Sequence, residues 1–354
     1  MTLQIEDIKV PGYERVARAN DRESGLHAYI AVHDRTLGPA LGGMRMWKYS
    51  NEGEALNDVM RLSKGMTFKS AIARTGLGGG KSVIVGDART QKSELLLRAM
   101  GRFINEFHGA YITAEDVGTS VPDLKVVREE TKYVTGLSRE DGGSGNPSPY
   151  TAMGCFVGLR AVLEQRFGSA DPKGKTVAIQ GAGAVGSSFA EMLANAGANI
   201  IVGDLYRERA EALAKKIGGK VVSSEEVLAA ECDILAPSAL GGIINDATIA
   251  KLRCKAVAGC ANNQLLEPRH GDLLHERGIL YAPDYVINAG GIINVGCELL
   301  PGGYNEKVAL SKIDTIYSAL KSVFEISAKE NIPTYRAADR LAEQILEEGR
   351  VAKK

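Results

Sequence analysis

The chain has 354 residues, 44% hydrophobic and 24% charged, the balance of a folded globular protein long enough for two cores. Its 43 basic and 43 acidic residues cancel, so no long-range field draws it to nucleic acid or an anionic membrane, and a small-molecule partner is expected. Cys155, Cys232, Cys254, Cys260 and Cys297 are scattered without C-x-x-C spacing and no H-E-x-x-H pair occurs, which argues against a disulfide framework and against a metal site.

The opening residues MTLQIEDIKV lack the basic start and apolar stretch of a secretory signal, so a cytoplasmic protein is expected. No apolar run approaches the ~18 residues of a membrane span. In chain order, strands are expected at 27–34 and 81–85 and helices at 52–64 and 92–107, an irregular α/β region. Residues 140–149, EDGGSGNPSP, are turn-formers and breakers and mark a boundary. A helix follows at 150–166. Then strands at 176–180, 199–203, 220–222, 234–236, 256–259 and 280–282 alternate with helices at 185–196, 207–217 and 224–230. That alternation predicts βαβ units and a doubly wound parallel sheet. From 305 onward the chain reads as mostly helical.

Gly181, Gly183 and Gly186 form G-x-G-x-x-G between the strand TVAIQ and a helix, with Ala184 and Val185 inside the loop. Dinucleotide binding needs these three glycines for the turn, for pyrophosphate approach and for helix packing, and the helix N-terminus offers amides to the phosphates. Alone the pattern also fits an ordinary glycine-rich turn. Here the next strand, NIIVG, is followed by Asp204, 23 positions after Gly181, where a carboxylate accepts from ribose hydroxyls and repels a 2′-phosphate. NAD is therefore the expected cofactor, in preference to NADP.

The segment MTFKSAIARTGLGGGKSVIVGD carries Lys69 and Lys81, with Gly78, Gly79 and Gly80 before the second lysine. It is no P-loop, because Thr75 stands where the first glycine is needed and a strand follows Ser82. The glycines suggest a backbone brought close to a ligand beside a poorly hydrated ammonium, whose lowered pKa would suit a general base. A single lysine is more often a solvated surface charge, but Lys81 opens the apolar run SVIVG. Glu115 and Asp116 in YITAEDVGTS end a β-like stretch, and fit either a charge partner or a turn cap.

PALGGMRMW, MTFKSA, GLGGGKSVIVGD, TAEDVGT, CDILAPSALGGIIND, AGCANNQL and DYVINAGGIINV together resemble the glutamate/leucine/phenylalanine/valine dehydrogenase family, from about residue 10 to residue 350. The resemblance implies a substrate domain at 1–145, rejoined by a C-terminal helical segment at about 330–354, and a Rossmann domain at 146–329, with the chemistry in a cleft between them. It implies that Lys69 holds the substrate carboxylate with help from Asn288, that Lys81 activates water, and that Asp116 moves protons at the substrate nitrogen. It further implies that Gly42 and Gly43 line the reacting centre and that Thr151 and Asn263 face the nicotinamide. Hydride would leave Cα for NAD, and water directed by Lys81 would convert the iminium to a 2-oxo acid and ammonia. A homo-oligomer, from dimer to octamer, is expected.

Leu41, Ala114, Ile292 and Val295 stand at the matching pocket positions, all apolar, which leaves an acidic substrate unpaired. Ala114 and the β-branched Ile292 favour an aliphatic side chain, so a branched-chain L-amino acid such as leucine, valine or isoleucine is expected. An aromatic amino acid handled by the same mechanism is the alternative. A hydroxy-acid or shikimate-type dehydrogenase and a catalytically silent NAD sensor are less consistent with the presence of both Lys81 and Asp116.

Overall fold

The computed structural model describes residues 3–353. The chain divides into two compact units, Met1–Asn146 with Val295–Asn305 and Ala342–Lys354, and Pro147–Asn294 with Glu306–Leu341. The first unit thus takes in residues 295–305. There the Glu298 carboxylate accepts the backbone amides of Gly136 at 3.1 Å and Ser144 at 2.8 Å.

The first unit contains strands β1 (Gln4–Ile8), β2 (Arg15–Asp21), β3 (Leu26–Asp34) and β4 (Ala40–Trp47), helix α1 (Glu52–Ile72) and strand β5 (Gly78–Val85). Helix α2 (Glu94–Asn105), strand β6 (Tyr111–Glu115) and helix α3 (Val121–Glu130) follow. The strands form one mixed sheet in the order β1-β2-β3-β5-β4-β6, antiparallel as far as β5 and parallel across β5, β4 and β6. Side chains alternate across it. On one face Met44, Met46, Ile84 and Tyr111 pack with Leu97, Met100, Phe103 and Ile104 of α2 and Leu124 and Val127 of α3. Each such large side chain, fully buried, contributes about 1.5–3 kcal/mol. On the opposite face Tyr29, Ala31 and Val83 pack with Ala55 and Val59 of α1.

Helix α1 runs eight residues beyond the expected end at 64. Its C-terminal half buries Ser63, Thr67 and Ser70, small polar residues that blur the apolar period but allow close packing. Ser93 caps α2 by accepting the Leu96 amide, so that helix starts later than 92. Strands β1, β2 and β4 and helix α3 were not expected. β1 is largely exposed, and β4, ALGGMRMW, has glycines at its centre that lower its β-propensity.

The second unit begins with α4 (Ser148–Phe167). It alternates β7 (Thr176–Gln180), α5 (Ala184–Asn195), β8 (Asn199–Gly203), α6 (Arg207–Ile217) and β9 (Lys220–Val221). It continues through β10 (Ile234–Pro237), α7 (Asp246–Ile249), β11 (Ala256–Val257), α8 (Pro268–Glu276), β12 (Leu280–Tyr281) and α9 (Asp284–Ile287). Helix α10 (Gly290–Gly296) precedes α11 (Glu306–Ile313), α12 (Thr315–Glu330) and α13 (Thr334–Ala352). All six strands are parallel in the order β12-β11-β10-β7-β8-β9, the doubly wound dinucleotide-binding order. The expected helix at 224–230 is a single 3-10 turn, Glu226–Ala229, and of the strand expected at 256–259 only Ala256–Val257 is regular strand. No described helix is long and apolar enough to cross a membrane.

Candidate active site

In the first unit the pairings Leu41↔Gly79, Arg45↔Val83, Leu41↔Ile112 and Gly43↔Ala114 put alternate residues of β5, β4 and β6 in common rows. Leu41, Gly43, Arg45, Lys81 and Ala114 consequently share the α1 face of the sheet, and Asp116 follows at the end of β6. Lys81 is 7% exposed and forms an ion pair with Asp116. A Cβ placed on Gly43 would lie 2.8 Å from Asp116 Cβ and 3.3 Å from Lys81 Nζ, so only glycine leaves space beside the pair.

Gly78, Gly79 and Gly80 answer to a different need from the expected one. A Cβ on Gly79 would lie 2.0 Å from the Thr67 amide nitrogen of α1, and one on Gly80 would lie 2.6 Å from the Tyr111 ring. Protein, rather than ligand, makes the close approach to that part of β5. Gly42 behaves likewise: its Cβ would meet Gly80 O at 1.7 Å, while its carbonyl accepts the buried Tyr111 hydroxyl at 2.7 Å. Lys69 is half-buried on α1, two residues beyond Thr67. Val295, also in this unit, is buried.

Burial disfavours the Lys81 ammonium and holds its pKa below the ordinary lysine value, although Asp116 opposes the shift. Burial pushes Asp116 upward, but Lys81 and Arg45 outweigh it and keep the carboxylate below its ordinary value. Arg45 Nε lies 3.5 Å from Asp116 Oδ2, and its Nη1 donates to Asp58 Oδ2 at 2.9 Å. The Tyr49 hydroxyl donates to the same Asp58 oxygen at 2.7 Å. Arg45, Asp58 and Tyr49 escaped the sequence reading. The available signal was a lone arginine inside the apolar strand segment MRMW, a charge that burial obliges to find partners.

In the second unit Gly181 has φ of 111° and donates its amide to Gly203 O at 2.8 Å. A Cβ on Gly186 would meet Gly181 O at 2.2 Å, whereas one on Gly183 would meet nothing within 4 Å. Two of the glycines are thus demanded by the fold, and Gly183 leaves open space for a ligand. No side chain caps α5, so the amides at its start, around Ala184 and Val185, are available to an anion. Asp204, just past β8, accepts the amides of Ala182 at 2.6 Å and Tyr206 at 2.8 Å. These groups fit the diphosphate and ribose of a dinucleotide.

Thr151 lies on α4, where a Cβ on Gly291 would come within 2.6 Å of its hydroxyl. Asn263 has φ of 51°, and its carbonyl accepts the Gly242 amide at 2.7 Å. Asn288 is 3% exposed and donates Nδ2 to Asn262 Oδ1 at 2.7 Å and to Cys260 O at 3.2 Å. Ile292 is buried nearby in sequence on α10. Burial pushes the Cys232 thiol up to about 12 and the Cys254 thiol up to about 11, so neither is a nucleophilic thiolate near neutral pH.

Residues 13–133 match the Glu/Leu/Phe/Val dehydrogenase dimerisation domain, and residues 142–204 and 204–352 match the Glutamate/Leucine/Phenylalanine/Valine dehydrogenase domain. A leucine dehydrogenase of Geobacillus stearothermophilus is 54% identical over 96% of this chain and 92% of its own. A phenylalanine dehydrogenase of Lysinibacillus sphaericus is 46% identical over 97% of this chain and 91% of its own. The crystal structure of an L-tryptophan dehydrogenase from Nostoc punctiforme superposes with a TM-score of 0.86 at 40% identity, covering 96% of this chain and 97% of that one. The chain therefore belongs to the glutamate/leucine/phenylalanine/valine dehydrogenase family and is an amino-acid dehydrogenase that works with a nicotinamide cofactor.

Proposed function

We propose that the chain catalyses the NAD-dependent, reversible oxidative deamination of a branched-chain L-amino acid, leucine with valine and isoleucine, to the 2-oxo acid and ammonia. The observation that carries the reading is the Lys81–Asp116 pair, buried beside Gly43 on the face that also holds Leu41 and Ala114. The 54% identity to a leucine dehydrogenase supports the substrate.

Bound NAD supplies the hydride acceptor for the substrate Cα–H. The rest falls to the chain's own groups. Lys69 takes the substrate carboxylate. Lys81, its charge disfavoured by burial, accepts a proton from water as that water adds to the iminium carbon. Asp116, charged beside Lys81 and Arg45, moves protons to and from the substrate nitrogen as the carbinolamine collapses and ammonia leaves. The sum balances as amino acid, NAD and water giving 2-oxo acid, ammonia, NADH and a proton.

Leu41, Ala114 and Val295 form the apolar side-chain pocket, with the Gly42–Gly43 backbone at its base. On the cofactor, the Gly181–Gly186 loop and α5 hold the pyrophosphate, Asp204 the adenine ribose, and Thr151 and Asn263 the nicotinamide end. Asp204 supports NAD over NADP, because a carboxylate repels a 2′-phosphate. The match to a dimerisation domain supports a homo-oligomer. Cys232, Cys254 and Cys260 are unbridged, which suits a cytoplasmic place of work.

The 40% identity to a tryptophan dehydrogenase favours one second reading, an aromatic substrate with the same machinery. Ammonia-dependent oxidation of NADH with 4-methyl-2-oxopentanoate and with phenylpyruvate decides between them. Higher kcat/KM with the branched oxo acid is expected. Preference for phenylpyruvate selects the aromatic reading, and activity with neither removes both.

A further inference from the structure

Behind the Lys81–Asp116 pair lies a second layer of charge. Arg45 comes from the middle of β4, one alternate position beyond Gly43, and its guanidinium lies between two carboxylates. Nη1 donates to Asp58 of α1 at 2.9 Å, while Nε lies 3.5 Å from the same Asp116 oxygen that pairs with Lys81. Asp58 is fixed in turn by Tyr49 at 2.7 Å and Arg61 at 2.8 Å. Side chains of Arg45 and Asp58 are 21% and 15% exposed, so their fields reach Asp116 with little screening by water.

A buried arginine with two carboxylate partners is costly to place unless both are satisfied. The guanidinium serves this purpose because its donors form a rigid fork facing two oxygens from different elements, whereas a lysine ammonium is a point charge on a flexible stem. Beyond Arg45 and Asp58 the layer opens to solvent in a cavity of about 630 Å³ lined by Trp47, Tyr49, Asn57 and Arg61. The charged groups around the pair include Arg45 from β4, Asp58 and Arg61 from α1, Lys81 from β5, and Glu115 with Asp116 from the end of β6, while Lys69 is carried on the same α1.

We infer that Arg45, braced by Asp58, is a positioning residue that holds the Asp116 carboxylate against Lys81 and sets the pH range in which the pair works. The inference rests on the roles proposed above for Lys81 and Asp116. The sign follows from charge. Removing the Arg45 cation makes it harder to keep Asp116 ionised and easier to keep Lys81 protonated. The acid limb of the activity profile follows the Lys81 proton, so the second effect moves it to higher pH. Loss of packing alone would lower the amplitude and leave the midpoint in place.

The test is the pH dependence of kcat and KM for leucine oxidation by the full-length parent, Arg45→Gln, Arg45→Lys and Asp116→Asn, with thermal melting to verify folding. A charge a few ångströms away typically moves a pKa by about 1–3 units, so losing the Arg45 cation beside Lys81 should raise the Arg45→Gln midpoint by at least about one pH unit, a tenfold loss of activity below it. Arg45→Lys retains the charge but not the two-carboxylate bridge. Its midpoint should return towards the parent's while kcat stays on the order of tenfold low, the scale of a misplaced catalytic group. An unmoved midpoint in Arg45→Gln overturns the inference. If that variant does not fold, a parent-like kcat in Arg45→Lys overturns it instead. Asp116→Asn separates the two possible failures. With turnover lost there and the Arg45→Gln midpoint unmoved, the positioning role alone falls. With turnover kept there, the reading of the site falls and the inference goes with it.

Discussion

Asp204 Oδ2 accepts the backbone amide of Ala182 at 2.6 Å, tying the end of β8 to the turn that leaves β7. Its other oxygen accepts the Tyr206 amide at 2.8 Å. Two backbone bonds fix the plane of the carboxylate. A carboxylate offers about four lone-pair sites, so roughly two remain for a ribose diol. The residue expected to read the cofactor therefore also braces the loop that would hold its phosphates.

That double duty shapes the first prediction. A hydrogen bond to a charged group is worth about 1.5–3 kcal/mol, so Asp204→Ala should raise the Kd for NAD roughly ten- to a hundredfold. NADP loses no ribose contact of this kind and should change less, narrowing the preference. Fluorescence titration of both cofactors on both proteins gives the ratio. A ratio equal to the parent's would show that another residue sets cofactor choice.

Lys81→Ala should lower turnover by at least about 10², the usual scale for losing a general base, while the Kd for NAD stays within about twofold. The parent's rate of leucine oxidation should rise with pH as Lys81 loses its proton. Because burial holds its pKa below the ordinary lysine value, that rise should come at lower pH than for a solvated lysine. Steady-state rates across a pH series check both statements, and turnover within a few-fold of the parent would place the base elsewhere.

The nucleotide-binding half was largely legible in the sequence, because each strand of TVAIQ and NIIVG type is a short apolar run bounded by glycine or a polar residue. The first unit was less so. Lys81 and Asp116 could be named, but β4 hid behind Gly42 and Gly43, and the far end of α1 past 64 is obscured because Thr67 packs on Gly79 and Ser70 is a buried polar residue, neither of which continues the apolar period. Arg45 and Asp58 are far apart in the apolar pattern and meet only when α1 lies on the sheet. A residue pair joined by tertiary packing leaves little trace in local periodicity.

Glu298 allows a stability test. Burial raises its pKa above the ordinary glutamate value, and the Ser144 and Gly136 amides offset this only in part. A carboxyl group raised in the folded state contributes stability below its unfolded pKa of about 4.3 and loses it as pH rises through the folded value. Glu298→Gln removes the titration but keeps an acceptor for the amides. The variant's Tm should gain on the parent's between about pH 4.5 and pH 7. A gap that is constant or runs the other way would show that charge on Glu298 is not penalised by folding.

The side-chain pocket gives the last test. Ala114 sits beside Gly43 in the ladder between β4 and β6, and a Cβ built on Gly136 would lie 3.9 Å from the Ala114 methyl. The methyl group therefore borders space that glycine leaves open on the other side, and taking it away deepens that space by one carbon. One methyl-sized change in an apolar pocket is worth about 1–3 kcal/mol of discrimination, roughly 10- to 200-fold. Ala114→Gly should shift kcat/KM from leucine towards phenylalanine by an amount in that range. It should do so mainly by improving phenylalanine, because leucine still fits and loses only one contact. Glutamate should remain a poor substrate of both proteins, since Leu41 and Ala114 offer its carboxylate no partner. The measurement is kcat/KM for leucine, isoleucine, valine, phenylalanine and glutamate in parent and variant. An unchanged leucine-to-phenylalanine ratio would remove Ala114 from the pocket. A parent that prefers phenylalanine would remove the branched-chain assignment while leaving the roles of Lys81 and Asp116 intact.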